Sequence, residues 1–407
     1  MKSEKTTILE AILNSAHDGK LMEKEPFLIV KHPKDDPKQP EKIGKHAAHS
    51  LKNPDDIAKL VNETQRHIII AGISHYESKD IVPLVDALVR SNRNVVASGL
   101  NLDARGHPYN HMPGLMSLAD DVILTKAICN DNGCYREDAI RSVEVDEGVF
   151  EPRCLHHFNY SGSPGTTQDK EGAIVVFAGP MFASKSEKWS AIINRKKVSH
   201  VPYITLTWID NERYGTNSGK RYVFDEGEAT LNNGKRIAAV LVRNADDVVE
   251  YLKRKPGVRD VFIDEVMLLD IDYANDKTDK NMLSVLNSYS AKGYRFYLTG
   301  LNRNFKREPF IEMPKLMCLA THIEMSNAYC VTCGHPSTEN QRMKLIAKGK
   351  YVPARYNDPI VATGGAKKKD EEPLQYYEAR CLAHFELPDA PKPKYEFPKW
   401  PPFAENS

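Results

Sequence analysis

A lysine and a serine open a helical stretch directly behind a short apolar strand, in the sequence AIVVFAGPMFASKS at residues 173–186. Ile174–Ala178 predicts a buried strand, a Gly-Pro pair predicts a tight loop, and Glu187–Arg195 predicts a helix. In this layout backbone N–H groups and the helix N-terminus cradle phosphate oxygens. Lys185 adds a positive charge, and the Ser186 hydroxyl reaches Mg²⁺. An ordinary strand–turn–helix without a ligand is the alternative.

Two adjacent carboxylates, Asp264 and Glu265, follow a second apolar run at Val261–Ile263. In an enzyme with a phosphate-binding loop, such an aspartate helps to hold Mg²⁺ and the neighbouring glutamate acts as general base. Two solvated acids at the end of a strand are the alternative. The presence of the acid pair and of Lys185 in one chain favours phosphoryl transfer.

One unit occurs twice along the chain. A stretch that begins Gly-Leu-Asn at Gly99 ends at Cys129, and a similar stretch that begins Gly-Leu-Asn at Gly300 ends at Cys330. The offset is 201 residues at both ends (300 − 99 and 330 − 129). Each copy later closes on an Arg-Cys-Leu-x-His-Phe run. The sequence therefore predicts two domains of related fold.

Both copies carry three cysteines and one histidine at spacings typical of a closed zinc site. The predicted ligands are Cys330, Cys333, Cys381 and His384 in the second copy, and Cys129, Cys134, Cys154 and His157 in the first. Three thiolates and one imidazole leave no open position on the metal, so we expect structural zinc. His156 competes with His157 as a ligand, and the match to His384 favours His157. Buried free thiols are the alternative.

The composition is that of an ordinary globular protein, with 407 residues, a formal net charge of +1 and 41% hydrophobic residues. The near-zero charge gives no reason to expect nucleic acid or membrane as a partner. No apolar run approaches the ~20 residues needed to span a bilayer. Seven cysteines without a leader segment indicate a reducing, cytoplasmic compartment.

Together these motifs resemble the zinc-containing type II thymidine kinases. The resemblance rests on GPMFASKS, the Asp-Glu pair, GLNRNFKREPF from Gly300, the CVTC knuckle, Gly364-Gly365 before Tyr377 and the closing Cys-x-x-His, in that order over residues 172–387. Residues 27–158 resemble the same family. The resemblance implies an α/β protein with two tandem P-loop NTPase-like domains of mostly parallel sheet, each with a small zinc-stapled lasso subdomain.

The resemblance also implies a reaction and its residues. The reaction is ATP-dependent phosphorylation of the 5′-hydroxyl of thymidine or deoxyuridine, a step of pyrimidine salvage for DNA synthesis, with Mg²⁺ and structural Zn²⁺ as cofactors. Glu265 would be the general base. The residues expected near ATP and its phosphates are Gly179, Met181, Phe182, Ala183, Ser184, Lys185, Ser186, Arg213 and Asp264. Those expected near the nucleoside are Met181, Phe305, Phe310, Asn340 and Tyr377, with core packing as the alternative for Phe310.

The second copy departs from the family at three places. Ser184 replaces a glycine of the loop, where a Cβ restricts φ. Glu339 and Asn340 stand where the family usually has an aromatic residue followed by threonine, and Met267 stands where it usually has glutamine. A catalytically inactive protein with a binding or structural role is therefore the alternative to a working kinase.

The first copy has lost the chemistry. Ala71-Gly72 stand in place of the acid pair. Ser3–Thr7 resemble the end of the phosphate loop, but no strand and no Gly-Pro precede them. We expect the first copy to be inactive and to replace a subunit by pairing with the second copy inside one chain. The sequence leaves open whether the chain also forms larger homo-oligomers.

The expected domains are residues 1–166, 167–387 and a Pro-rich arm at 388–407 that packs on the surface or on a partner. The linker lies near residues 159–171, which are polar and rich in Gly, Ser and Thr. A lasso loop would span about residues 338–377. Apolar spacing predicts further helices at residues 56–63, 80–91, 245–255 and 280–292.

Overall fold

The computed structural model describes residues 4–19, 21–131, 134, 136–158, 172–209, 223, 226–230, 236–270, 281–360 and 372–400. We call residues 4–158 the N-terminal half, 172–387 the C-terminal half and 388–400 the C-terminal arm. None of the helices in these ranges is long and apolar enough to cross a membrane.

Strands and helices alternate in the N-terminal half. Its elements are α1 (Glu4–Asp18), α2 (Leu21–Lys24), β1 (Phe27–Lys31), β2 (Lys42–Ile43), β3 (His46–Ala47), β4 (His49–Ser50), α3 (Pro54–Leu60), β5 (His67–Ala71), α4 (Ile81–Arg90), β6 (Asn94–Ser98), α5 (Met112–Leu118), β7 (Arg141–Asp146) and β8 (Val149–Arg153). Four strands form a parallel sheet in the order β4-β1-β5-β6. β7 and β8 form a separate antiparallel hairpin.

The C-terminal half follows the same plan with a larger sheet. Its elements are β9 (Ala173–Ala178), α6 (Lys185–Val198), β10 (Tyr203–Trp208), β11 (Glu226–Thr230), β12 (Arg236–Val242), α7 (Ala245–Arg254), β13 (Asp260–Asp264), α8 (Met282–Ser290), β14 (Arg295–Gly300), α9 (Met313–Leu319), β15 (His322–Met325), β16 (Ala328–Tyr329), β17 (Pro336–Ser337), β18 (Glu339–Ala347), β19 (Lys350–Pro353) and β20 (Gln375–Arg380). Seven strands form a sheet in the order β11-β12-β10-β13-β14-β9-β15, and only the β11–β12 pair is antiparallel. The mostly parallel α/β architecture is therefore confirmed.

Local sequence explains these elements. All five residues of β13 are buried, as expected for a central parallel strand covered by helices on both faces. α7 and α8 each begin after an asparagine, Asn244 and Asn281, whose side-chain oxygen accepts a hydrogen bond from a first-turn N–H. The helices predicted at 80–91, 245–255 and 280–292 match α4, α7 and α8 to within two residues at each end. The helix predicted at 56–63 is α3, which begins earlier because Pro54 fits the first turn and ends earlier, at Leu60, because Val61 is extended.

The segment predicted as a lasso loop contains regular strands. β19, β18 and β20 form an antiparallel sheet in that order, and β18 pairs with β20 from Glu339↔Arg380 to Lys344↔Gln375. The expectation of a loop was wrong for these residues because the cross-strand ladder satisfies their backbone groups. The Gly364-Gly365 pair and the lysine run at 367–369 lie outside the described residues.

The two halves pack against each other through α5 and α9. Met116 of α5 lies in the same buried apolar cluster as Met317 of α9, and the Cys318 thiol lies 3.4 Å from the Met116 sulfur. Asn101 Nδ2 donates to the Cys318 carbonyl oxygen at 2.8 Å, and Asn302 Nδ2 donates to the Ser117 carbonyl oxygen at 2.9 Å. These two bonds are related by the 201-residue offset of the sequence (302 − 101 and 318 − 117). Such reciprocal contacts are typical of an interface about a two-fold axis.

The C-terminal arm runs back onto the N-terminal half. Tyr395 and Phe397 pack against the apolar cluster that includes Ile57 and Leu84. Lys394 Nζ lies 2.6 Å from Asp80 Oδ2. The arm therefore packs against the N-terminal half through residues 394–397.

Candidate active site

The loop after β9 has a backbone that few residue types fit. Gly179 has a φ of +144°, and a Cβ there would lie 2.2 Å from the Ser326 carbonyl oxygen. Phe182 and Ser184 have φ values of 65° and 54°, in the left-handed region. α6 begins at the next residue, Lys185, so the first-turn N–H groups that have no partner inside the helix lie at this loop. The loop therefore has the strand–turn–helix geometry of a phosphate cradle.

Replacing Ser184 by glycine is expected to stabilise the protein. A Cβ in the left-handed region costs roughly 1–2 kcal/mol, and the extra entropy of glycine offsets roughly 0.5–1 kcal/mol of that. Ser184 makes no side-chain hydrogen bond that caps α6, so no capping bond is lost. We expect the free energy of unfolding to rise by up to about 1 kcal/mol, measured by thermal melting. Ser184→Ala keeps the Cβ and is the control; an equal rise in both variants would contradict the explanation.

Lys185 is buried against the loop. Its Nζ donates to the Pro180 carbonyl oxygen at 2.5 Å, which places the ammonium group inside the turn. An ammonium held there supplies positive charge at the point where the loop N–H groups meet the helix terminus. Binding of a phosphate by Lys185 stays a prediction.

The acid pair lies at the same edge of the sheet as the loop. Because β13, β14 and β9 are neighbouring parallel strands, their carboxyl ends lie side by side, with β13 and β9 about 10 Å apart. Asp264 ends β13 and is buried, while Glu265 turns away from the strand with a φ of 52°. The structure therefore brings the lysine and both carboxylates to one edge of the sheet, and their catalytic roles stay predictions.

Thr299 lies near the end of β14, the strand between β13 and β9, and its hydroxyl contacts both residues of the acid pair. Its Oγ1 donates to Asp264 Oδ1 at 2.5 Å and accepts a hydrogen bond from the Glu265 N–H at 3.3 Å. Sequence reasoning missed this residue, although a threonine near the end of the strand next to an acid pair is a signal that could have found it.

The aromatic residues predicted at the nucleoside are mostly buried. The Phe305 ring lies under the guanidinium of Arg342, whose central carbon is 3.7 Å from the ring centroid. Phe310 belongs to the apolar core of the C-terminal half. Tyr377 lies in β20 opposite Arg342. The contact of these rings with a substrate stays a prediction.

Asn340 joins the β19-β18-β20 sheet, which we call the lasso sheet, to the loop at residues 179–184, which we call the phosphate loop. Its Oδ1 accepts from the Met181 N–H at 2.7 Å, and its Nδ2 donates to the Arg303 carbonyl oxygen at 3.0 Å. Both ends of this buried amide therefore contact backbone groups, and Met181 lies at the junction between loop and lasso. Arg213, predicted near the phosphates, lies outside the described residues.

A buried carboxyl, Asp270, ends the short 3₁₀-helix Val266–Asp270, which directly follows the acid pair. Its Oδ1 accepts from the Met282 N–H at 2.8 Å. Burial raises the pKa of Asp270 to about 7; the Met282 N–H lowers it, Glu312 raises it and Lys315 lowers it. Sequence reasoning did not single out this residue.

Asp270→Asn is expected to stabilise the protein at alkaline pH. The folded pKa of about 7 lies above the unfolded value of about 4, so the free energy of unfolding falls as pH rises from about 4 to about 7. Asparagine removes this loss and keeps the oxygen that accepts from Met282. The melting temperature of the variant minus that of the wild type should be larger at pH 8 than at pH 5. The exposed Asp146→Asn serves as control; a difference that does not change with pH would contradict the assignment.

Two clusters of three thiols and one imidazole could each hold a metal ion. They are Cys129, Cys134, Cys154 and His157, and Cys330, Cys333, Cys381 and His384, with the ligand atoms of each cluster within 4.8 Å of one another. In both clusters Nδ1 of the histidine faces the sulfurs, at 3.4 Å from Cys154 Sγ and 3.3 Å from Cys381 Sγ. His157, and not His156, belongs to the first cluster. A set of three sulfur ligands and one nitrogen ligand fits tetrahedral zinc and leaves no catalytic position.

The corresponding rim of the N-terminal half is built differently. β5 ends at Ala71, and Gly72 has a φ of +70°, close to the value at Glu265. A Cβ at Gly72 would lie 2.6 Å from Asp35 Cβ, so the space for a glutamate side chain is occupied. In the described residues β6 is an edge strand, with no counterpart of β9 beside it.

A family model described as thymidine kinase matches residues 1–150 and 172–385. The match covers most of both halves. It includes the whole second cysteine cluster and, of the first cluster, Cys129 and Cys134.

Proposed function

The chain belongs to the thymidine kinase family, and we propose that it transfers the γ-phosphoryl group of ATP to the 5′-hydroxyl of thymidine or deoxyuridine. The observation that carries the proposal is the convergence of Lys185, Asp264 and Glu265 at one edge of the C-terminal sheet. Positioning and neutralisation of phosphate charge account for most catalysis of this kind, so a loop, a lysine and a metal-holding carboxylate suffice beside a base.

Each residue has a proposed task. The loop from Gly179 and the N-terminus of α6 bind the phosphates, and Lys185 turns from the Pro180 carbonyl to a phosphate oxygen. Glu265 accepts the proton of the 5′-hydroxyl as its oxygen bonds to the γ-phosphorus, the bond to the bridging oxygen breaks, and ADP leaves. Asp264 and Ser186 would hold Mg²⁺, which neutralises phosphate charge when bound.

The nucleoside would lie between the phosphate loop and the lasso sheet. Met181, Phe305, Phe310 and Tyr377 are proposed to surround the base. Because both ends of the Asn340 amide contact the backbone, we propose that Asn340 fixes the walls of this pocket and that neighbouring backbone groups read the pyrimidine edge.

The N-terminal half is proposed to be a degenerate copy of the C-terminal half that replaces a subunit. Gly72 in place of Glu265, the edge position of β6 and the reciprocal Asn101 and Asn302 bonds support this role. Its Cys₃His cluster would keep the shape of the domain with zinc, without chemistry.

Phosphate transfer from ATP to thymidine, deoxyuridine and deoxycytidine by the zinc-loaded full chain tests the proposal. We expect turnover on thymidine and deoxyuridine and little on deoxycytidine. Turnover restricted to another nucleoside would overturn the substrate assignment. No turnover on any nucleoside, in folded protein that retains its metal, would favour the alternative of an inactive family member with a structural role.

A further inference from the structure

A buried ion-pair network connects the N-terminal half to the lasso sheet. Arg307 lies between two acids: its NH2 group is 2.6 Å from Asp86 Oδ1, and its NH1 group is 2.5 Å from Glu339 Oε1. Arg303 NH1 is 3.1 Å from the same Glu339 oxygen. Asp86 belongs to α4 of the N-terminal half, whereas the other three residues belong to the C-terminal half.

The network depends on the charge of Asp86. Arg303, Arg307 and Glu339 are almost completely buried, and two arginines face one glutamate. Acids of the N-terminal half supply further negative charge: Asp86 contacts Arg307 directly, and Asp120 acts on both arginines by its charge. Burial by itself would raise the pKa of Asp86, but Arg307 and Arg90 together lower it by more. The pKa therefore lies below its usual value, and the carboxylate stays ionised. Removing the acid that contacts a buried arginine leaves buried positive charge poorly compensated, which is far more costly than losing an exposed pair.

The network continues into the candidate active site. Glu339 is the first residue of β18, and successive residues of a strand point to opposite faces. Glu339 therefore contacts the arginines, while Asn340 accepts the Met181 N–H of the phosphate loop. Arg303 takes part twice, because its side chain contacts Glu339 and its carbonyl oxygen accepts from Asn340.

We propose that Asp86 is a positioning residue for the site in the other half of the chain. It holds Arg307, Arg307 and Arg303 hold Glu339, and the fixed start of β18 lets Asn340 hold the phosphate loop at Met181. This proposal rests on the proposed function for its kinetic consequence, but not for its structural one. Glu339 stands where the family usually has an aromatic residue. The proposal gives a physical reason for this departure, because the Glu339 carboxylate is a partner for both Arg307 and Arg303.

The position related to Asp86 by the 201-residue offset provides a matched control. That residue is Asn287 of α8, whose Oδ1 lies 3.5 Å from NH2 of Arg141 across the same interface. Asn287 faces the N-terminal half and is not part of the chain of contacts that leads to the phosphate loop. A variant at Asn287 therefore loosens the interface without touching the lasso sheet.

The test compares Asp86→Ala, Asp86→Asn, Asp86→Glu and Asn287→Ala in the zinc-loaded full chain. Hydrogen exchange at the Met181 amide is expected to be faster by about tenfold in Asp86→Ala, less so in Asp86→Asn, and unchanged in Asp86→Glu and Asn287→Ala. kcat/KM for the nucleoside should fall by about tenfold in Asp86→Ala, mainly through KM, and recover in Asp86→Glu.

Two results would overturn the proposal. One is unchanged exchange at Met181 in Asp86→Ala, and the other is an equal acceleration in Asn287→Ala, which would indicate general loosening of the interface. If Asp86→Ala does not fold, the same criteria apply to Asp86→Asn, which keeps the shape of the side chain and removes its charge. A wild-type chain without kinase activity would refute the proposed function alone, because the exchange measurement needs no turnover.

Discussion

Replacing Glu265 by glutamine is expected to lower turnover on thymidine by roughly 10²–10⁴-fold, the usual contribution of a positioned acid or base. Glutamine has the same shape, but its amide cannot accept the proton of the 5′-hydroxyl. The backbone N–H of residue 265 can still donate to Thr299, so the turn after β13 should persist. Binding of ATP should change little because Lys185 and the loop are untouched. Steady-state kinetics and calorimetric titration with ATP measure the two effects separately.

Glu250→Gln is the matched control for this variant. Glu250 lies on the exposed side of α7, paired with Arg254, and its replacement should leave turnover unchanged. Turnover of Glu265→Gln within about tenfold of the wild type would exclude Glu265 as the base. Retained ATP binding together with lost turnover would assign the residue to the chemical step.

Replacing Cys381 by serine is expected to remove one zinc ion per chain and to abolish most kinase activity. The Cys381–His384 pair follows β20, and β20 pairs with β18 at Glu339↔Arg380 and Asn340↔Ala379. Losing the metal would therefore release the strand that holds Asn340 against the phosphate loop. Structural zinc supplies folding free energy directly, so we expect a loss of activity of at least about 10²-fold. Metal analysis and the kinase assay measure the two losses.

Cys154→Ser makes the equivalent change in the N-terminal half. It should also remove one zinc ion per chain and lower the melting temperature. Activity at moderate temperature should largely remain, because the residues proposed for catalysis lie in the C-terminal half. Unchanged metal content in either variant would exclude that cluster as a zinc site. Equal loss of activity in both variants would contradict the proposed division between a catalytic and a structural half.

Residues that form motifs could be found from the sequence. Ile174–Ala178 and Val261–Ile263 are continuous apolar runs, which a parallel sheet buries on both faces, and they lie within β9 and β13. The paired spacing of cysteines and histidines predicted both metal clusters, including His157 instead of His156. Apolar spacing predicted the helices α4, α7 and α8.

Residues that act through the tertiary fold could not be found in this way. Asp86 and Arg307 are separated by 221 residues, and each by itself is typical of a solvated helix or loop. Asn340 was expected near the nucleoside, but nothing in the sequence indicated that its amide contacts two backbone groups. The strands of the lasso were missed because an antiparallel ladder depends on a partner strand over 30 residues away, as Lys344 and Gln375 show.

The central claim is that one half of the chain binds nucleotide and the other does not, and the binding stoichiometry tests it most directly. Calorimetric titration with a non-hydrolysable ATP analogue and Mg²⁺ should give one site per full-length chain. Lys185→Ala should abolish that site. Lys5→Ala, at the start of the N-terminal helix α1, should leave it intact. Two sites per chain, or a site that survives Lys185→Ala and disappears in Lys5→Ala, would contradict the account.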